Sequence, residues 1–403
     1  MRALIKVGGA YGEIIAPPSK SMAHRFLIAA ALAEGTSVIH GVTESQDVLA
    51  TVRCLQALGA KIEVNGSDYT VVGCDIRKSL PAEALNCAES GSTLRFLIPL
   101  AALTGEEISF CGSARLMERP LDVYESIFED RKMLFTRRNN TLLVKGTLTP
   151  GSYTVRGDVS SQFISGLLFA LPLLTSESTI RVTTPTESKS YINLTVNALA
   201  QFGIRIYFEN EFTIRIPGGQ KYISGEFSVE GDYSAAAFID ALNLIGSNVR
   251  VLGLDNNSAQ GDKIYNELYP KLLKSSPNID ISDCPDLAPI LFTLASYFNG
   301  ATFFGTSRLK IKESDRAAVM AEELRKFGAD LSVYENSVII KKAELHAPTA
   351  TLCAHNDHRV VMALAILLTK FGGEIEGAEA INKSYPNFFS DIKKLGIEVA
   401  LKN

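Results

Sequence analysis

The chain has 403 residues, a net charge of −4, and 46% hydrophobic against 21% charged residues. That length predicts two domains rather than one core, and the composition is that of a globular chain, not a disordered one. With no basic excess to neutralise a polymer's phosphates, a general nucleic-acid or membrane-surface binder is excluded, and any affinity for anions must come from a local cluster.

In chain order, an apolar helix that starts at small or polar residues and stops at a turn is predicted over residues 19–35, 90–105, 159–174, 231–246, 285–300 and 356–373. A more amphipathic helix lies between copies, as at 47–58, 191–202, 316–327 and 387–395. These four end at Gly59, Gly203, Gly328 and Gly396, each followed by apolar residues. A glycine just past the last turn supplies the left-handed residue that turns the chain into a strand. The stretch 135–140 has no such glycine after its helix. Six α/β units with a period of roughly 70 residues, one of them shorter, predict a pseudo-symmetric protein with three units per domain. The longest apolar runs, such as 163–174, are short of the ~20 residues of a membrane span. The six cysteines form no C-x-x-C pair, so they suggest neither zinc nor a redox motif, and scattered thiols fit a reducing compartment. His355 and His358 are three apart, but the sequence offers no third metal ligand nearby.

The helix starts carry unusual chemistry. A helix N-terminus is the positive end of the macrodipole, and a cation there costs about 0.3–1 kcal/mol. Yet Lys20 and Arg25, Arg95, Lys312 and Arg316, and Arg359 all stand in or near first turns. Ser19, Ser21, Gly91, Ser92, Thr93, Ser160 and Ser161 accompany them. Taken singly, these are ordinary caps and solvated cations. Repeated in equivalent units, they predict sites for phosphate or carboxylate. No Walker-type run and no G-x-G-x-x-G occurs, so neither a P-loop kinase nor a dinucleotide fold has support.

Nine motifs in order resemble those of the 5-enolpyruvylshikimate-3-phosphate synthases, within the enolpyruvyl transferases. They are Pro18-Ser19-Lys20-Ser21 with Arg25, Ser90-Gly91-Ser92-Thr93-Leu94-Arg95, Arg115-Leu116-Met117-Glu118-Arg119-Pro120, Val159-Ser160-Ser161-Gln162-Phe163, Glu230-Gly231-Asp232, Pro285-Asp286, Lys312-Glu313-Ser314-Asp315-Arg316, Asn356-Asp357-His358-Arg359 and Lys383-Ser384-Tyr385-Pro386. The resemblance implies an α/β fold of two similar domains, each of three βαβαββ units, with helix N-termini facing an interdomain cleft. Residues 1–18 and 230–403 would form one domain and 19–229 the other. It implies transfer of the enolpyruvyl group of phosphoenolpyruvate to shikimate 3-phosphate, with release of phosphate, in a cytoplasmic monomer without metal or organic cofactor, nucleic-acid partner or membrane.

By the same resemblance, Lys20, Ser21, Arg25, Ser160, Ser161, Gln162, Ser188, Asp286 and Lys312 would bind shikimate 3-phosphate. Lys20, Gly91, Arg119, Gln162, Arg316, Arg359 and Lys383 would bind phosphoenolpyruvate. Asp286 would be the base at the attacking hydroxyl and Glu313 the proton carrier to the methylene carbon, with Lys20 between both ligands and His358 assisting. The plainer readings are that Asp286 caps a helix and Glu313 is a surface charge. Glu89, Ser92 and Arg308 depart from the family pattern. The sister enzymes acting on UDP-N-acetylglucosamine carry a cysteine five residues before the Arg-Pro, where this chain has Ala114. A non-catalytic anion-binding module on the same fold is the other alternative, and retention of Lys20, Asp286 and Glu313 speaks against it.

Overall fold

Side-chain oxygens start most of the long helices. Ser19, Ser45, Ser90 and Ser160 each accept from a backbone amide two or three residues on, as do Asp232, Asp315 and Asp357. Each satisfies a donor that the first helical turn leaves over. In the computed structural model, which describes residues 1–402, these helices belong to two compact units, Pro18–Glu230 and Met1–Pro17 with Gly231–Asn403.

The contiguous unit contains α1 (Lys20–Leu32), α2 (Gln46–Ala57), α3 (Gly91–Ala101), α4 (Ala114–Glu118), α5 (Asp122–Asp130), α6 (Ser161–Ala170) and α7 (Lys189–Gln201). Its three four-stranded sheets share one order. Strand Leu85–Asn86 runs parallel to Ile108–Cys111, which is antiparallel to Thr141–Lys145, which is antiparallel to Leu134–Arg138. Ser152–Val155, Ser178–Val182, Thr213–Ile216 and Tyr207–Asn210 repeat this, as do Glu226–Ser228, Thr36–His40, Asp68–Val72 and Lys61–Asn65. With α3 and α5, or α6 and α7, between their strands, the repeats are βαβαββ units. The apolar helices form the core: α1 is buried from Met22 to Leu32, and α3 packs on α6.

The discontinuous unit holds α8 (Tyr233–Leu244), α9 (Tyr265–Lys274), α10 (Ala288–Tyr297), α11 (Arg316–Arg325), α12 (His358–Phe371) and α13 (Phe388–Lys394). Two sheets keep the same order: Asn278–Asp280, Gly300–Phe304, Ser337–Lys341, Asp330–Val333, and Leu352–Cys353, Gly373–Glu376, Arg2–Ile5, Val399–Lys402. The sixth repeat is the short one, with Tyr11–Ile15 paired only to Asn248–Leu252. The helix expected over 285–300 opens with a 3-10 turn at Pro285–Leu287. Buried α10 and α12 are the centre of this core.

The glycine signal holds in detail. Gly59, Gly203, Gly328 and Gly396 have φ of 103°, 80°, 87° and 99°. Each donates back three residues while the next amide reaches back five, closing the helix end. After α5 the same pair of bonds forms from Lys132 and Met133, with Lys132 at φ 55°. A lysine thus occupies the place that glycine fills elsewhere. Its Cβ makes that backbone unfavourable by about 1 kcal/mol, partly offset by glycine's greater freedom when unfolded. Lys132→Gly is therefore expected to stabilise the protein by up to ~1 kcal/mol, seen as a higher urea midpoint at unchanged slope. Gly59→Ala should move the midpoint the other way.

Candidate active site

In the discontinuous unit, four elements bring charged groups to one place. Asp286 lies in the 3-10 turn before α10, Lys312 and Glu313 in the loop before α11, Arg316 at the first position of α11, and Arg359 in the first turn of α12. Asp286 does not cap a helix. Its Oδ1 accepts from Arg316 Nη1 at 2.7 Å and from Lys312 Nζ at 3.3 Å, and its Oδ2 accepts from Arg359 Nη2 at 2.8 Å. Arg316, 1% exposed, also donates Nη2 to Glu313 at 2.8 Å and Nε to Asp357 at 2.8 Å. Asp357 accepts from Ser314 Oγ at 3.0 Å as well as from the Arg359 amide. Arg359 donates to the Ser234 hydroxyl at the start of α8. Glu313 is thus a member of the cluster and not an isolated surface charge.

The charges set one another's protonation. Burial alone would raise the Asp286 carboxyl, but Arg359, Lys312 and Arg316 outweigh it and hold the group well below the usual carboxylate range. Burial lowers Lys312 to about 8, against the opposing pull of Asp286. Lys383, buried in the 3-10 segment Ala378–Lys383, donates to the Asn356 carbonyl at 2.6 Å in the turn before α12. His358 opens α12 and is 1% exposed.

The contiguous unit gathers a second set. Gly91 begins α3, and a Cβ placed there would lie 2.7 Å from Arg119 Nη1 and 3.0 Å from Arg95 Nη1. The guanidiniums of Arg119 and Arg95 therefore sit against this helix start. Gln162, in the first turn of α6 behind the Ser160 cap, accepts from Arg95 Nη1 at 2.8 Å and donates to Ser92 Oγ at 3.0 Å. Lys20 opens α1 and pairs with Asp47 at 2.9 Å. Arg25 donates to Thr195 Oγ1, to the Ser21 carbonyl and to the Tyr191 carbonyl at 2.8, 2.6 and 3.0 Å. Burial lowers its guanidinium to about 10, so it remains a cation at neutral pH. Ser188 precedes α7 with φ 57°. Behind these groups a buried chain runs from His24 Nδ1 to Thr51 Oγ1 at 2.7 Å, on to Thr93 Oγ1 at 2.6 Å and to Ser90 Oγ at 2.7 Å. It ties together the starts of α1, α2 and α3. Burial keeps His24 far below its ordinary pKa, with Lys20 and Arg25 adding to the effect.

The structure therefore brings Asp286, Lys312, Glu313, Arg316 and Arg359 together, and likewise Gly91, Arg119 and Gln162 with Ser160 and Ser161. Asp47, Asp357, Ser234 and the Arg95–Gln162 contact were missed as site groups, although Asp357 and Arg95 lie inside quoted motifs. One expectation is corrected: His355 does have further ligand-type neighbours, since its ring and the carboxylates of Glu322 and Glu323 come within 4.8 Å of one another. His358 is not among them, and Glu323 also holds Lys326.

These features define a class of α/β protein built from repeated βαβαββ units whose helix starts carry paired cations. The fold is shared with EPSP synthase from Acinetobacter baumannii, in two solved structures at TM-score 0.79, with 24% and 22% identity and 99% and 100% of both chains covered. Residues 6–392 match the sequence profile of the family described as EPSP synthase (3-phosphoshikimate 1-carboxyvinyltransferase), and the chain belongs to that family. It is 41% identical to the 3-phosphoshikimate 1-carboxyvinyltransferase of Clostridium novyi (strain NT), over 96% of this chain and 95% of that protein. It is also 41% identical to the protein of that name from Clostridium kluyveri, over 96% of each.

Asp286 is the partner that Lys312, Arg316 and Arg359 share, and removing it leaves buried positive charge in excess. Asp286→Asn is expected to destabilise the protein by about 3 kcal/mol. Millimolar sulfate, a dianion able to stand in for the carboxylate, should restore more of the lost melting temperature in the variant than it adds to the wild type. Differential scanning calorimetry with and without sulfate checks this.

Proposed function

We propose that this protein transfers the enolpyruvyl group of phosphoenolpyruvate to the 5-hydroxyl of shikimate 3-phosphate and releases phosphate, in aromatic amino-acid biosynthesis. One observation carries the reading: Asp286 and Glu313 share one cluster with Lys312, Arg316 and Arg359, in a chain of the EPSP synthase family. Both substrates are anions, so joining them requires dense cationic cover, and addition followed by elimination requires groups that take and return protons.

The proposed division of labour follows the chemistry of each group. Lys20, Ser21, Arg25, Ser160, Ser161, Gln162, Ser188 and Lys312 hold shikimate 3-phosphate. Lys20, Arg119, Arg316, Arg359 and Lys383 hold phosphoenolpyruvate, with Gln162 and the Gly91 backbone. The forked guanidiniums suit carboxylate and phosphate. Asp286 takes the proton of the attacking hydroxyl as oxygen bonds to the enol carbon, and Glu313 delivers a proton to the methylene. In the second stage the C–O bond to phosphate breaks as Asp286 returns its proton to the departing phosphate, the methyl carbon gives a proton back to Glu313, and the double bond re-forms. His358 assists from the buried first turn of α12. No metal takes part, and the protein is a cytoplasmic monomer.

The incoming anions compete with Asp286 for Arg316, Arg359 and Lys312, and the carboxylate's proton affinity rises as those cations turn toward the ligands.

The direct test measures phosphate release from phosphoenolpyruvate without added metal, with shikimate 3-phosphate or UDP-N-acetylglucosamine as acceptor. Release is expected with the first alone; release only with the second, or full loss on chelation, overturns the reading. Asp286→Ala and Glu313→Ala should each lower turnover by roughly a hundredfold or more, with much smaller effects on shikimate 3-phosphate binding.

Lys312 sets a pH limit. Only its ammonium form attracts the substrate phosphate, so kcat/KM for shikimate 3-phosphate should fall as pH rises through about 8. Asp286 and Glu313 oppose that loss, and Arg308 and Arg316 favour it. Lys312→Arg keeps its charge and should move the fall to higher pH in a stopped-time rate profile.

Gly91 is the place to separate substrate from a longer competitor. A methyl group there would push on Arg119 and Arg95. Glyphosate is expected to compete with phosphoenolpyruvate, and Gly91→Ala should raise its inhibition constant more than it raises the substrate's KM.

A further inference from the structure

The turn before α12 takes two consecutive non-glycine residues into left-handed backbone, at a cost that even tolerant residue types pay. His355 and Asn356 have φ of 49° and 55°, left-handed backbone without glycine. Such residues are unfavourable and persist when their surroundings hold them in place. The residues around this turn do so through Glu323, in the last turn of α11.

The Glu323 carboxylate is fully buried. It accepts from His355 Nε2 at 2.9 Å, from Lys326 Nζ at 2.9 Å on both oxygens, and from the Cys353 amide at 2.9 Å. Burial would raise this carboxyl, but the bonds from His355 and Lys326 outweigh it and hold it below its ordinary value. The turn itself is short. The Asp357 amide donates to the Ala354 carbonyl at 2.9 Å, and the His355 amide lies 3.4 Å from Cys353 Sγ. One side of the turn is therefore fastened to α11 and the other delivers two groups of the candidate site. The Asn356 carbonyl accepts Lys383 Nζ at 2.6 Å, and Asp357 both caps α12 and holds Arg316.

We infer that His355 and Glu323 are positioning residues. Their contact holds the left-handed turn 355–356 so that Lys383, Arg359 and Arg316 meet phosphoenolpyruvate in register. The inference rests on the function proposed above. Neither residue touches the substrate; each acts through the turn. A shift of an ångström in such groups is enough to lower a rate by one or two orders of magnitude. The effect is directional, because Lys383 and Arg359 are assigned to phosphoenolpyruvate, whereas the shikimate 3-phosphate contacts other than Asp286 and Lys312 lie in the contiguous unit.

The test uses the full chain. Asparagine tolerates left-handed backbone but is too short to keep the bond to Glu323, so His355→Asn removes the contact while sparing the turn's geometry. Glutamine places an amide nitrogen about as far out as Nε2, so His355→Gln restores a donor. Expected in His355→Asn are a KM for phosphoenolpyruvate raised about tenfold and a calorimetric Kd for shikimate 3-phosphate within about twofold of wild type. His355→Gln should return the KM to within about threefold of wild type. Amide hydrogen exchange over residues 353–359 should quicken in the Asn variant and recover in the Gln variant, a readout that needs no turnover.

An unchanged KM for phosphoenolpyruvate in His355→Asn overturns the inference, and so does equal weakening of both substrates. Glu322→Gln should change nothing, because Glu322 is exposed and outside these bonds. A loss in Glu322→Gln equal to that in His355→Asn, or reversal by added zinc, would assign the cluster to a cation instead and overturn the inference. If His355→Asn does not fold, Glu323→Gln carries the same test, with the same selectivity for phosphoenolpyruvate expected. A wild-type chain that releases no phosphate defeats the proposed function, whereas an active wild type with an unaltered His355→Asn defeats this inference alone.

Discussion

Three cations share one carboxylate. Lys312, Arg316 and Arg359 all reach Asp286, and the arrangement near the starts of α10, α11 and α12 depends on that meeting. Like charges ~5 Å apart at an effective dielectric of about 20 repel by roughly 3 kcal/mol per pair. Helix starts that carry partial positive charge add to the strain. Glu313 and Asp357 complete the balance on Arg316, so that three carboxylates face three cations. A fully satisfied buried network of this kind fixes geometry, and it also has exchangeable members. Phosphate or carboxylate groups of a ligand offer the cations the same interaction that the side-chain carboxylates supply. The cluster is thus preorganised for anions by being filled with the protein's own.

The contiguous unit meets a similar problem partly with neutral acceptors. Lys20 has Asp47, while Arg95 leans on the amide oxygen of Gln162 and Arg25 on a hydroxyl and two carbonyls. These neutral acceptors fix the direction of the guanidiniums. Rigidity there comes from hydroxyls, through the chain from His24 to Ser90, and a neutral His24 costs the site no further repulsion.

How much of this was legible depended on the range of the interaction. Helix ends at Gly59, Gly203, Gly328 and Gly396 were readable because the signal lies within a few residues of its effect. The closure at Lys132 was not, because a lysine in left-handed backbone leaves no compositional mark and the bonds of Lys132 and Met133 only appear in the fold. Cations at helix starts stood out as a local conflict with the macrodipole. Their partners did not: Asp286 is 30 positions from Arg316 and 73 from Arg359, and Asp357 is 41 from Arg316. The choice between Asp286 as a cap and as an ion-pair centre could be settled only by tertiary structure. The motif order supplied the family, while the physics of the pairing came from the coordinates.

The strand Arg2–Ile5 lies inside its sheet, between Gly373–Glu376 and Val399–Lys402. Both neighbours come from beyond residue 372, so this strand is among the last to be paired. Residues 18–230 are contiguous and can collapse while the rest is still being made, at ~5–20 residues per second. Tyr11–Ile15 meets its partner strand soon after that, at Asn248–Leu252, whereas Arg2–Ile5 pairs only with strands beyond residue 372. The sheet that holds Arg2–Ile5 therefore closes only once Val399–Lys402 is available, and loss of that strand would leave Arg2–Ile5 without its outer neighbour.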